Sequence, residues 1–463
     1  MTRSVRQLEL SDGDIALQLT IDSEGRVRVD GLTAGPDRWA GSEQSIVEIV
    51  TPGTGTGSAG RYDRSLLGAR LRYRAHAIDA TDLGPRLVLE LVDPVSGIAA
   101  HVTFEIVART STLRSSVTVT NESSDSRELL YVSALAIGST DWTPDGTIVH
   151  LADSDWLSEY RWRHGTLYGL GEPGIRAEVH SAHVPRGRLG VSGRGTWSTG
   201  EQLPMGALEC EDGRTVLWQI EQNSPWHWQL LETLQGMSLL ASGATGRDHG
   251  WSNTLAAGAT LTTPTTAITA TGGGIDRAFA RLTDYRRATR MHGPNGTNLP
   301  VIYNDYMNTL MADPTTEKLL PLIEAVGRTG VDIYCVDAGW YADEPRWWES
   351  VGAWEPSTSR FPGGIGEIFD AIRNHGMRPG LWMEPEVVGI KSPIAAELPD
   401  EAYLTRGGER VVMDGRFHLD FRHPAVTERL DRIVDGLIAI CTGRMPSSRG
   451  IRALSWRTAH PAE

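Results

Sequence analysis

Two stretches decide the fold: Val331-Asp-Ile-Tyr-Cys-Val-Asp-Ala-Gly-Trp340 and Gly380-Leu-Trp-Met-Glu-Pro-Glu386. In the first, an apolar run ends in Asp337; in the second, Gly380-Leu381-Trp382 leads into Glu384 and Glu386. A third run, Val301-Ile-Tyr303, ends in Asn304 and Asp305. Polar groups at the ends of successive apolar strands are the pattern of an α/β barrel mouth, where loops after parallel strands face a ligand. A substrate site is therefore expected there.

Outward from these stretches, strand and helix alternate. Strands are expected at about 301–304, 331–336 and 377–382, and helices at about 316–328, 364–375 and 424–440. Such alternation implies parallel strands joined by right-handed crossovers. Only three or so βα units can be counted, against the eight of a closed barrel.

Before residue 270 the pattern is different. Leu87-Val-Leu-Glu-Leu-Val92, Val102-Thr-Phe-Glu-Ile-Val107 and Val117-Thr-Val-Thr120 alternate with period two between turn signals, which predicts an antiparallel sandwich. Asp93-Pro-Val-Ser-Gly97 reads as a hairpin turn, because Pro fixes φ and Gly accepts positive φ. Residues 275–290 carry Phe279, Leu282 and Tyr285 among many arginines, an amphipathic helix read as a connector. His292-Gly-Pro-Asn-Gly296 then breaks the chain. The expected fold is multi-domain β + α/β: an N-terminal antiparallel β-supersandwich over 1–273, a connecting helix and linker over 274–299, an incomplete (β/α) TIM-type barrel over 300–440, and an atypical basic tail over 441–463. The tail is set apart because 442–462 hold four arginines and no acidic residue.

The composition narrows the function. A chain of 463 residues with a formal net charge of -14 offers no concentrated positive surface for nucleic acid or anionic membrane. Lys318 and Lys391 are its only lysines, so Schiff-base chemistry has little to work with. Cys210, Cys335 and Cys441 are widely spaced without CxxC pattern, which indicates neither a disulfide framework nor a zinc site. No leader or membrane span is evident, and a cytoplasmic location is expected. The sequon at Asn121 and the GxGxxG match at Gly55–Gly60 are read as chance and as a flexible loop. His418 and His423 lack metal-ligand spacing. No metal or cofactor is expected.

Carboxylates and indoles crowd the barrel segment. Glycoside cleavage needs two carboxyl groups, one as acid and one as nucleophile or base, and Asp337, Glu384, Glu386 and Asp420 are eligible. Trp340, Tyr341, Trp347, Trp348, Trp354 and Trp382 lie in the same region; sugar rings stack their C–H face on indole while polar side chains take the hydroxyls. Trp382, beside the Glu pair, is the better stacking candidate.

These residues resemble the family 36 glycoside hydrolases, the α-galactosidase group of the melibiase clan. The likeness rests on Asn304-Asp-Tyr-Met-Asn-Thr309, Val336-Asp-Ala-Gly-Trp340, Val351-Gly-Ala-Trp354, Phe361-Pro-Gly-Gly364, Gly380-Leu-Trp-Met-Glu-Pro-Glu386 and Arg416-Phe-His-Leu-Asp420, in the family's order, with Thr196–Ala207 as a weaker upstream match. The resemblance implies retaining hydrolysis of terminal α-galactosides without metal or nucleotide. It implies substrate binding by Asp337, Trp382, Arg416, Trp340 and Asp305, with Glu384, Glu386, Asp420 and Trp354 in support. The implied partner is an oligosaccharide or other α-galactoside, and a homo-oligomer is implied by the resemblance alone.

Departures from the family pattern are Ala338 where a second Asp is usual, Ala353 in Gly352-Ala-Trp354, and Leu310 after Asn308-Thr309. The family's Lys-x-Asp strand is not found after the 424–440 helix, so no catalytic residue is assigned. The expectation is an α-galactosidase-like chain, truncated within the barrel and inactive by itself. The alternatives are a noncatalytic carbohydrate-binding protein and an α-galactosyl transferase of raffinose-synthase type.

Overall fold

The computed structural model describes residues 5–54, 60–174, 176, 185–195, 197–223, 225–290, 299–343 and 347–442. It divides into two compact units near residue 290.

In the first unit, antiparallel sheets enclose one large apolar core. The strands Pro85–Val92, Ile98–Val107 and Thr112–Asn121 lie side by side in the largest sheet. Their register sets Leu87 against Phe104 and Leu89 against Val102, and Val102 against Val117. All five side chains are buried, because side chains of period two share one face only when the register is even. Trp39, Trp142, Trp218, Trp226 and Trp228, all fully buried, fill the same interior.

The hairpin at 93–97 forms as its composition requires. Asp93 is wholly buried and accepts from the Val95 and Ser96 amides and the Ser96 hydroxyl, while Gly97 takes φ +71°. Asn121 is equally buried, and its amide donates to the carbonyls of Asp125, Leu255 and Ala256. In the folded protein this sequon offers no free acceptor nitrogen. The GxGxxG match lies largely outside the described residues.

The expected helix runs Gly274–Thr289, but it is not a free connector. Ala278, Leu282 and Tyr285 are buried with Val107, Leu217 and Ala267, and the helix belongs to the first unit. The sequence showed its amphipathic stripe; the sheet face that receives the stripe is assembled from strands far apart in the chain.

The second unit contains the strands Ile302–Asn304, Ile333–Val336 and Arg378–Leu381, paired in parallel in that order. Between them run the helices Thr316–Gly327 and Ile365–Asn374, and the helix Pro424–Thr442 follows. Thr315 caps the first helix by accepting from the Lys318 amide, and Pro424 opens the last one at the position where a missing N–H costs nothing. Helix 365–374 buries Ile365, Ile368, Phe369 and Ile372, a stripe of spacing three and four that fits one helical face. This is a (β/α) barrel arc of three strands. After it the chain adds two short antiparallel pieces, Val387–Gly389 paired with Arg416–His418, and the hairpin Thr405–Arg406 with Glu409–Arg410. The last helix extends to Thr442, and the rest of the expected tail lies outside the described residues. Among the described residues, no helix is long and apolar enough to cross a membrane.

Candidate sugar-binding site

The three parallel strands end on the same side, and this gathers the polar groups. Asp337 follows the middle strand. Its carboxylate accepts from the Asn304 side-chain amide and, at 2.6 Å, from the Ala338 backbone N–H. Its own N–H donates to Asp305 Oδ1 at 2.9 Å. Asn304 and Asp305, consecutive at the end of the neighbouring strand, thus hold one residue by its side chain and its backbone.

Trp382 follows the third strand and its N–H donates to Val336 O at 2.9 Å. It is half-buried. Its ring lies 5.9 Å from that of Trp347, edge to face, and 6.0 Å from that of Trp354. Tyr341 joins this set at 4.9 Å from Trp354 and 6.4 Å from Trp347. Offset and edge contacts of this kind are the favoured aromatic geometry, and they fix the indole faces against rotation.

Arg416 enters from the strand Arg416–His418. Its guanidinium pairs with Glu384 and lies 3.7 Å from the centroid of Trp348. The Trp348 N–H is anchored at 2.7 Å on Asp414 O. Burial pushes the Glu384 carboxyl above its ordinary range, opposed by the Arg416 charge and reinforced by Glu386. Burial also pushes His418 down, helped by the Arg416 charge.

Two expectations on binding residues need correction. Trp340 is 0 % exposed and its indole N–H donates to Trp382 O at 2.9 Å; it underpins the site from the core and presents no face to a ligand. Asp305 is 1 % exposed and faces the backbone of Asp337, so it lies behind the binding surface. Trp354, expected as support, is buried against Trp340 and Trp382 and holds φ +57°. Asp420 is bonded by the backbone and guanidinium of Arg422 and donates its N–H to Ala402 O; these bonds turn it toward the 400–405 segment. Glu386 is exposed, and its carbonyl accepts from Leu419. The sequence did not show the pairing of Trp348 with Arg416, which are 68 positions apart, whereas Tyr341 joins the aromatic wall as its place among the aromatics of the mouth led one to expect. A cation–π contact leaves no local pattern in sequence. Among the described residues, no group of His, Cys, Asp and Glu is placed to hold a metal ion.

The arrangement combines a fixed carboxylate, a guanidinium braced by a carboxylate and an indole face. That is a chemistry suited to a pyranose ring, carried on a (β/α) barrel arc. Residues 260–443 match the Melibiase family model. Over 452 residues the chain is 25% identical to the probable alpha-galactosidase G of Emericella nidulans, covering 90% of this chain and 58% of that protein. The GH36 α-galactosidase AgaA of Geobacillus stearothermophilus has the same fold, with a TM-score of 0.78 at 15% identity, over 94% of this chain and 64% of that one. A variant of AgaA solved in complex with raffinose superposes with a TM-score of 0.77 at 16% identity, over 94% of this chain and 64% of that one. The chain is thus similar to α-galactosidases in sequence and has the fold of the GH36 enzymes. It spans less than two thirds of the length of these relatives.

Proposed function

We propose that this chain builds the galactose-recognising part of an α-galactosidase site and binds terminal α-galactosides of oligosaccharides. The observation that carries the reading is that Asp337 and Trp382 follow neighbouring parallel strands while the Arg416–Glu384 pair and Asp337 both lie within electrostatic reach of Tyr341. Asp337 would accept from sugar hydroxyls, Trp382 would stack on the C–H face, and Arg416 would donate to ring or hydroxyl oxygens. The raffinose complex of AgaA supports the substrate class.

Binding without turnover is part of the proposal. Asp337, Glu384 and Asp420 are each engaged by donors within the protein, which leaves the exposed Glu386, whereas retaining hydrolysis needs two carboxyl groups, one aimed at the anomeric carbon and one as proton donor. The curated α-galactosidase relatives favour the hydrolase lineage over the transferase reading. Calorimetry with raffinose, galactose and glucose, beside a chromogenic α-galactoside assay, tests the proposal. Saturable raffinose binding with no heat from glucose is the expected result. Absence of raffinose binding overturns the recognition part, and turnover by the 463-residue chain overturns the inactivity.

A further inference from the structure

Asp305 has a role that its burial rules out as direct sugar contact. One carboxyl oxygen accepts the Asp337 N–H at 2.9 Å. The other, Oδ2, is buried with no hydrogen bond of normal geometry, and so is the hydroxyl of Tyr334, the group that interacts with it from the middle strand. Among the described residues, neither Asp305 nor Asp337 forms an ion pair with Arg or Lys. The charged and titratable groups that face Asp305 are Asp337, Tyr334 and Cys335, all on or just after that middle strand.

We propose that Asp305 is a positioning residue for the sugar site: it fixes the backbone of Asp337 from behind, so that the Asp337 carboxylate points to the mouth, and its charge state sets how strongly that carboxylate binds. Asn304 alone cannot do this, since it holds only the side chain. With Asp305 bonded to the N–H and Asn304 and the Ala338 N–H bonded to the carboxylate, every polar group at the tip of Asp337 has one partner inside the protein. Preorganisation of this kind removes the freedom a ligand would otherwise have to freeze. Burial, and then the Asp337 charge, push Asp305 up to about 6 against the pull of the Asp337 N–H bond, so Asp305 changes charge in a range where binding can be measured.

The inference rests on the sugar-binding reading, and two variants with two readouts keep them apart. D305N retains an acceptor oxygen for the Asp337 N–H but has no charge; D305A has neither. Raffinose affinity is measured by calorimetry from pH 5 to 8, and hydrogen exchange of the 333–340 segment by mass spectrometry, with a melting curve for each variant. The native chain is expected to change affinity several-fold across pH 6. D305N should flatten that step, and D305A should lose on the order of tenfold in affinity at pH 7.5 and exchange faster at 333–340. Native-like affinity with unchanged exchange in D305A overturns the proposal, as does a pH step in D305N equal to the native one. If the native chain binds no galactoside, the functional reading falls and the exchange comparison decides the positioning role: equal exchange in native and D305A rejects it. If D305A does not fold, the D305N profile and its exchange decide.

Discussion

The guanidinium carbon of Arg416 stands 3.7 Å from the ring centroid of Trp348, with Glu384 paired to one of its nitrogens. The cation is thus held between an indole face and a carboxylate while being only 6 % exposed. A planar guanidinium can stack, pair and still present a donor; an ammonium cannot do all three. R416K should therefore weaken raffinose binding by roughly tenfold or more, in line with losing a stacked, bidentate-capable cation. Calorimetry on the folded variant checks this, and an affinity within twofold of native would remove Arg416 from the site.

Asp305 also makes a stability prediction with a definite sign. Its carboxyl is raised from 3.8 to about 6, burial being the main cause. An acid with a raised folded pKa binds its proton more tightly in the native state, so folding carries no penalty from it below about 4. Stability is lost as pH rises through 4 to 6 and the loss is complete above that. Two units correspond to about 3 kcal/mol as an upper figure. The stability of D305N relative to native, from denaturant unfolding, should rise by about 2–3 kcal/mol between pH 4 and pH 7. A flat difference would show that Asp305 is not the titrating group.

The sequence made the barrel arc legible because barrel strands read as short apolar runs, and each of the three ends in polar residues, although Val301 and Ile302 of the first are exposed. All three strands and their helices lie where the runs place them. Which side of a strand end a residue faces is a different matter. Trp340 and Asp305 follow strands as Asp337 and Trp382 do, yet the turn after each strand sends their side chains inward. Periodicity fails at those positions because the chain is no longer extended. The Arg416–Trp348 contact was hidden for another reason, since it depends on how the 387–389 and 416–418 strands pair.

In the first unit, Glu48 is the buried carboxylate with most to lose. It is 1 % exposed, and its two oxygens accept from the Arg64 and Ser65 amides, the Ser65 hydroxyl and the Gln44 side chain. Ser65 in turn caps the helix Leu66–Arg70. E48Q would set an amide N–H₂ against two of these donors, and stranding buried donors costs about 1–3 kcal/mol each. Burial pushes the Glu48 carboxyl up to about 7, so the loss should be largest, about 2–4 kcal/mol in urea unfolding near pH 5, and shrink toward pH 8 as the native chain takes on the cost of the buried charge. Equal stability of E48Q and native at pH 5 would mean that the amide strands none of these donors.

Trp340 and Trp382 separate support from contact. The Trp340 indole N–H reaches Trp382 O, while the Trp382 ring is half-exposed beside Trp347 and Trp354. Removing the Trp382 ring in W382A takes away the stacking face, and raffinose affinity should fall by roughly 10–100-fold, since buried stacking aromatics contribute the most of any side chain to a binding surface. W340F keeps an aromatic of similar shape but leaves the Trp382 carbonyl without its donor, which costs about 1–3 kcal/mol of stability. Its binding should change little, because the sugar never reaches Trp340. Thermal melts and calorimetry on both variants give opposite patterns under this assignment. If W340F lost affinity as strongly as W382A with unchanged stability, the indole at 340 would be the ligand surface and the geometry of the aromatic wall would have to be redrawn.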